Sequence, residues 1–218
     1  MKKNLTELVF ILDMSGSMSP LTDDTIGGFN SVIREHNDGK GEVLVTTYVF
    51  NNESKMIHDR VCIADVAPMT ENDYSARGCT ALLDAIGEAI EHIVCIHRYA
   101  RKEDIPEHTI FVITTDGMEN ASHKFSADRI RNKIRHEQEK YGWEFLFLAA
   151  NIDAVETAEA YGIDRSRAVN YHADQEGTGH VYEAVNYAAR VVRERRCLSE
   201  DSSWRKSIDS DFEKRKKK

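Results

Sequence analysis

The sequence predicts an α/β fold in which a mostly parallel sheet carries helices on both faces. Apolar runs rich in β-branched and aromatic residues alternate along the chain with helical patterns. Most of these runs are continuously apolar, which is typical of strands buried on both faces. Because crossovers between parallel strands are right-handed, such a chain forms a doubly wound sheet. The 218 residues, 41% apolar and 30% charged, suffice for one such domain.

Six strands and five helices follow from these patterns. Pro20 and the two acidic residues that follow it indicate the start of a helix, and Asn37-Asp38-Gly39 indicates its end. The turn signal Asn51-Asn52 predicts that the third strand folds back antiparallel on the second. The predicted strands cover residues 7–12, 43–50, 54–58, 109–115, 143–149 and 168–171. The predicted helices begin near residues 20, 80, 126, 153 and 178.

A loop rich in hydroxyl groups follows the first strand. The apolar run ends at Asp13, and Ser15 and Ser17 follow at alternate positions with a glycine between them. Open α/β sheets bind their ligands at the carboxyl ends of strands. Oxygen ligands of this kind suit Mg²⁺ or Mn²⁺ rather than zinc or copper. The loop is therefore a candidate metal site, although its short pattern alone is weak evidence.

Two further segments bring oxygen atoms to the same edge of the predicted sheet. Thr80 stands at the junction between a loop and an apolar helical pattern, and Asp116 directly follows the fourth strand. The first and fourth strands should be neighbours at the point where the strand order reverses, which places Asp13 beside Asp116. The candidate metal site thus contains, in chain order, Asp13, Ser15, Ser17, Thr80 and Asp116.

With these five residues the chain resembles the von Willebrand factor A (VWA) domain family, as a stand-alone, bacterial-type member. The metal-ion-dependent adhesion site (MIDAS) of that family has this set of residues in this order, and all five positions match. The resemblance implies a Rossmann-like sheet with strand order 3-2-1-4-5-6, in which the third strand is an antiparallel edge. It covers roughly the first 195 residues, so we expect a VWA domain over residues 1–197 and a tail over residues 198–218.

The resemblance also implies a function, which is to bind a protein partner through a metal ion. In such a site Ser15, Ser17 and Thr80 would bind Mg²⁺ directly, with Mn²⁺ or Ca²⁺ as alternatives. Asp13 and Asp116 could then bind through water and hold the hydroxyl groups in place. The ion would keep an open position for an aspartate or glutamate carboxylate of the partner. We therefore expect a binding module and no enzyme.

The alternative is a Mg²⁺-dependent phosphatase of the haloacid dehalogenase type. Such an enzyme also has an aspartate at the end of its first strand, and it needs a second aspartate two residues later as acid and base. This chain has Ser15 at that second position. A serine hydroxyl cannot protonate a leaving group as a carboxylic acid can, so the phosphatase reading is disfavoured.

Composition narrows the expected partners and location. A net charge of −8 argues against nucleic acid as the main partner. No apolar run approaches the roughly 18 residues of a membrane span, and no secretion signal is visible. The four cysteines form no C-x-x-C pair, which favours free thiols and a cytoplasmic location.

We expect the protein to be a monomer. The chain has no phosphate-binding loop of the G-x-x-x-x-G-K-[ST] type, so an ATPase in its assembly would be a separate chain.

The sequence of the last residues allows three interpretations. Residues 199–218 are polar and end in a basic run, Lys214 to Lys218. This composition is typical of a disordered tail. The tail could instead contact a partner or an anionic surface. Trp204 and Phe212 could also pack it against the domain.

Overall fold

The protein, described here by a computed structural model for residues 1–194, 198 and 201–216, alternates strands and helices. The strands are β1 (Lys2–Asp13), β2 (Glu42–Phe50), β3 (Ser54–Cys62), β4 (Pro106–Thr115), β5 (Glu144–Ala149) and β6 (Ala168–Asn170). The α-helices are α1 (Thr22–His36), α2 (Leu82–Tyr99), α3 (Ala127–Tyr141), α4 (Ala154–Ala160), α5 (Gln175–Arg193) and α6 (Lys206–Lys216). A 3-10 turn, Gly16–Leu21, precedes α1.

The six strands form one sheet in the order β3-β2-β1-β4-β5-β6. Neighbouring strands are parallel, except that β2 and β3 are antiparallel. The predicted doubly wound sheet, its strand order and its antiparallel edge strand are therefore confirmed. β1 lies between β2 and β4, where Asp13 is opposite Phe50 and Leu12 is opposite Thr114. Strand order reverses between β1 and β4, which is where open sheets of this type bind ligands.

Each face of the sheet has its own hydrophobic core, because side chains alternate along a strand. In β1, Leu8, Phe10 and Leu12 face the core that is shared with α1 and α5. Val9 and Ile11 point the other way, into the core that is shared with α2 and α3. All five are fully buried, which is why β1 reads as a continuous apolar run. Within the part of the chain described, no helix is both long and apolar enough to cross a membrane.

Three strands extend several residues beyond their predicted bounds, and one of them, β4, begins at Pro106 rather than at residue 109. β1 begins at Lys2 rather than residue 7, because Lys2 pairs with Pro106 and Leu5 pairs with Glu42. β3 continues to Cys62 rather than ending at residue 58. Backbone hydrogen bonds to neighbouring strands extend a strand whatever its side chains. Hydrophobic patterns alone therefore underestimate polar strand ends.

The C-terminal segment packs against the domain where the structure describes it. Trp204 and Ile208 are each 1% exposed and belong to the core that contains α5. The ring of Phe212 stacks on His172, with ring centroids 4.8 Å apart. Of the three readings of the tail, packing through Trp204 and Phe212 is the one observed, and α6 was not predicted. The predicted boundary at residue 197 lies outside the described residues.

Candidate metal centre

The loop after β1 holds three of the predicted residues in a fixed conformation. Asp13 is fully buried, Ser15 is 2% exposed, and Ser17 is exposed to solvent. The Ser15 amide donates a hydrogen bond to Asp13 Oδ1 at 2.7 Å, which closes the loop on itself. The Gly16 amide donates to the carbonyl of Gly78 at 3.0 Å. This second bond joins the loop to the segment that carries Thr80.

Hydrogen bonds to the turn after β2 hold the segment that contains Thr80. The Cys79 amide donates to Asn52 Oδ1 at 3.0 Å, and the Ala81 amide donates to the Asn51 carbonyl at 2.8 Å. Gly78 has a φ of +80°, and a Cβ there would lie 2.2 Å from Asn52 Oδ1. The positive φ favours glycine at this position, and a larger residue would also displace the Asn52 side chain. The result is a rigid turn that holds Thr80, 4% exposed, at the start of α2.

Asp116 completes the cluster from the end of β4. Its Oδ1 accepts a hydrogen bond of 2.6 Å from the Ser17 hydroxyl. Ser17 Oγ is in turn 3.2 Å from Ser15 Oγ. A Cβ placed on Gly117 would lie 3.8 Å from both Ser17 Oγ and Thr80 Oγ1, so the two hydroxyl groups flank that glycine. The structure thus brings all five predicted residues to one edge of the sheet.

Both carboxyl groups of the cluster are buried, and burial disfavours their charged forms. Burial raises the pKa of Asp13 to about 6, against the opposing effect of hydrogen bonds from Thr115 and Ser15. Burial also raises the pKa of Asp116, which is 3% exposed. Among the described residues, no lysine, arginine or histidine forms a salt bridge with either carboxylate. A bound cation would therefore supply charge that the surrounding residues do not.

Three residues outside the five candidate ligands position this cluster. Thr115 Oγ1 donates to Asp13 Oδ2 at 2.6 Å. The Tyr74 hydroxyl donates to the main-chain carbonyl of Asp13. Asn120 Oδ1 accepts from the Thr80 amide at 2.9 Å. Thr115 could have been inferred from its place beside Asp116, whereas the roles of Tyr74 and Asn120 depend on loop conformations that the sequence does not reveal.

The donor set fits a hard divalent cation. The five side chains offer only oxygen atoms, three from neutral hydroxyls and two from carboxylates. Mg²⁺, Mn²⁺ and Ca²⁺ prefer such ligands, whereas zinc and copper favour nitrogen and sulfur. Exposure of Ser17 opens the cluster to solvent. The residues present therefore suit an ion that is held on one side and accessible on the other.

Solved structures with the same fold are distant in sequence. Proximal thread matrix protein 1 (PTMP1) from the mussel byssus, in its crystal form 2, matches with a TM-score of 0.58 and 15% identity, over 85% of this chain and 46% of its own. PTMP1 with a zinc-occupied MIDAS motif gives a TM-score of 0.57 and 14% identity, over 86% and 46%. A mutant of the PilB minor pilin from Streptococcus sanguinis gives 0.55 and 11%, over 87% and 62%.

These comparisons define the class of fold. The chain has a VWA-like fold, and one structure that shares it contains a MIDAS motif with a divalent metal. The chain spans about half the length of PTMP1 and less than two thirds of the pilin. Neither a protein-family model nor a curated protein matches it by sequence. Similarity at such low identity establishes the fold, so the activity must be argued from the site itself.

Proposed function

We propose that this protein is a VWA-family, metal-dependent binding module that recognises an acidic side chain of a protein partner. The observation that carries the proposal is the convergence of the five oxygen-bearing residues around an opening at Ser17. Partner binding through a metal is the chemistry that such an opening supports, because a partner carboxylate can complete the coordination of a partly exposed ion.

The hydrogen bonds of the cluster suggest a role for each residue. The Ser17 hydroxyl donates a hydrogen bond to Asp116 and can accept one from the Ser15 hydroxyl, which leaves a second lone pair on its oxygen for a cation. Asp13 already accepts bonds from the Ser15 amide and from Thr115. We therefore assign direct contacts to Ser15, Ser17 and Thr80, and a supporting role to the two aspartates. A bound Mg²⁺ would supply the positive charge that attracts the partner carboxylate.

The same contacts argue against the phosphatase alternative. A nucleophilic aspartate must present a free carboxylate oxygen to its substrate. Asp13 is fully buried, and both of its carboxylate oxygens accept hydrogen bonds. Ser15 also replaces the acid that the phosphatase needs. Binding without catalysis is therefore our proposal for this site.

We further propose Mg²⁺ as the ion, with Mn²⁺ and Ca²⁺ as alternatives, since the ligands are all oxygen. Zinc belongs in any comparison of metals, because PTMP1 holds zinc in its MIDAS motif.

We also propose that the protein is a cytoplasmic monomer that binds a partner assembly. Any ATPase in that assembly would be another chain. The three described cysteines Cys62, Cys79 and Cys95 are exposed free thiols, which agrees with a reducing compartment. The similarity to a pilin makes an extracellular location the alternative to test.

Calorimetric titration tests the proposed site directly. Wild-type protein should bind Mg²⁺, and acetate should bind only in its presence. The double variant Ser15→Ala/Ser17→Ala should lose both signals, while Ser19→Ala, in the same 3-10 turn, should keep them. Metal binding that survives in the double variant would refute the assignment of the site. Metal binding without any effect of acetate or of an acidic peptide would refute the proposed mode of recognition.

A further inference from the structure

A cavity lies at the opposite edge of the sheet from the candidate metal centre. Helices α2 and α3 are held together at their N-terminal ends, where Asp84 accepts hydrogen bonds from the amides of residues 123–125. A Cβ on Gly87 would lie 2.5 Å from the Phe125 ring, so the helices meet closely there. Between their C-terminal halves they leave a cavity of about 780 Å³. This volume is typical of sites for small molecules.

The cavity has an aromatic and aliphatic lining. Ile90 and Val94 of α2 line one side, and Trp143 lines the cavity where the chain enters β5. Trp143 is 5% exposed and is stacked on Phe111, with centroids 5.3 Å apart. The His97 ring meets it edge-on at 5.4 Å. Rings held in this way present a fixed apolar surface to a planar ligand.

One buried polar group in the cavity lining has an unfilled hydrogen-bonding capacity. Glu137 of α3 lines the cavity and is 5% exposed. Its Oε2 is fully buried, and no described residue makes a hydrogen bond to it. A buried polar atom without a partner costs about 1–3 kcal/mol, so its presence in a cavity wall points to a partner from outside. As an acceptor, Glu137 selects a ligand that brings an N–H or O–H group.

The mouth of the cavity is cationic. Arg98 of α2 and Lys140 of α3 line it from opposite sides, and both are exposed. Lys133 also lines the cavity, but its amine is 2.8 Å from Glu91 and is already paired. Lys140 Nζ lies 5.0 Å from the centroid of the Tyr141 ring, and neither Arg98 nor Lys140 forms an ion pair with a described residue, so both charges can face an anionic group at the surface. The lining thus combines a buried acceptor, an aromatic wall and exposed positive charges.

We infer that this cavity binds a planar heteroaromatic ligand that carries a ring N–H group and an anionic substituent. The ring lies against Trp143, its N–H group donates to Glu137, and the anionic group faces Arg98 and Lys140. Guanine nucleotides and indole carboxylates belong to this chemical class. The site is separate from the candidate metal centre, because the two occupy opposite edges of the sheet. Its occupancy should not depend on a metal.

Guanosine monophosphate and indole-3-acetate are the probes, because each carries a ring N–H group and an anion. Calorimetry at millimolar ligand should detect binding of at least one of them, with or without chelator and also in Ser15→Ala/Ser17→Ala. Quenching of Trp143 fluorescence, measured in a Trp204→Phe background, should follow the same isotherm. The matched analogue without the donor, 1-methylindole-3-acetate, should bind at least about tenfold more weakly than indole-3-acetate if the latter binds.

Variants separate the proposed contacts. Glu137→Gln should weaken the N–H ligand about tenfold, whereas Glu139→Gln, exposed on the same helix, should have no effect. Val94→Phe should abolish binding by filling the cavity while leaving Mg²⁺ binding unchanged. Arg98→Ala/Lys140→Ala should weaken binding severalfold, with a smaller effect at high salt. Failure of both probes to bind, or equal binding by wild type and Glu137→Gln, would overturn the inference.

Discussion

Strand β1 carries two fully buried carboxylates, one in the middle of the strand and one at its carboxyl end, and the two differ in what surrounds them. Glu7 accepts from Arg60 Nε at 2.6 Å and from His97 Nε2 at 2.7 Å. Asp13, at the carboxyl end, accepts hydrogen bonds from Ser15 and Thr115, which are both neutral donors, and from no charged group among the residues that the structure describes. Both carboxylates are 0% exposed. The charge of Glu7 is therefore balanced by the protein itself, and that of Asp13 is not.

The difference separates a structural charge from a functional one. Glu7 joins β1 to β3 through Arg60 and to α2 through His97, so its partners are part of the fold. Asp13 lies where three loops converge, beside Asp116, and only an added cation would balance both charges. A buried charge that the protein leaves uncompensated is a common mark of a binding site. Three predictions test this contrast, and a further one concerns the buried side chain of His36.

Removing the charge of Glu7 should have the largest effect on stability. Glu7→Gln would leave the Arg60 guanidinium, whose side chain is 19% exposed, without its counter-ion. We expect a loss of about 3–5 kcal/mol in the free energy of unfolding, measured by denaturant titration, with unchanged Mg²⁺ affinity. Glu42→Gln, which breaks an exposed pair with Lys2, should cost less than about 1 kcal/mol. A Glu7 variant of wild-type stability would remove the contrast.

Removing the charge of Asp13 should change the free energy of unfolding in the opposite direction and stabilise the metal-free protein. The pKa of Asp13 is raised to about 6, so at pH 8 the buried carboxylate destabilises the metal-free fold, and that penalty disappears as the pH falls below 6. Asp13→Asn should therefore stabilise the metal-free protein by about 2–3 kcal/mol at pH 8 and abolish Mg²⁺ binding. The exposed Asp23→Asn is the control. Destabilisation of the metal-free protein by Asp13→Asn would contradict this account.

His36, in the last turn of α1, should make the fold sensitive to acid. Burial, with the charge of Arg193 as a second cause, lowers the pKa of His36 to about 4. Because the unfolded chain binds a proton near pH 6.5, stability should fall as the pH drops from about 6.5 to 4, by roughly 2–3 kcal/mol. Thermal unfolding across this range should show a shallower slope for His36→Gln. The exposed His123→Gln should keep the wild-type slope.

The smallest predicted effect concerns the residue that supports Asp13. Thr115→Val removes the hydroxyl that donates to Asp13 but keeps the shape of the side chain. We expect Mg²⁺ affinity to fall about tenfold, as measured by calorimetry. Thr114→Val is a close control, since Thr114 Oγ1 is buried and no described residue bonds to it. Equal affinities in the two variants would show that Thr115 does not position the site.

The sequence by itself was enough to predict the sheet and to choose the five candidate ligands. Continuous apolar runs that are short and rich in β-branched residues, such as Leu8 to Leu12, indicate strands buried on both faces, and their alternation with helices favours a parallel sheet. Asp13 and Asp116 follow directly from this order, because parallel strands end at one edge. These inferences need only local pattern and chain connectivity.

Only the tertiary structure shows which buried carboxylates have a charged partner and where the C-terminal segment packs. Nothing near Glu7 in the sequence reveals Arg60 or His97, which are 53 and 90 residues away. Likewise, the burial of Trp204 depends on the space beside α5. The cavity next to Glu137 lies between α2 and α3, which come from separate parts of the chain. Long-range packing determines all three, since the energy of a buried group depends on which distant side chains reach it.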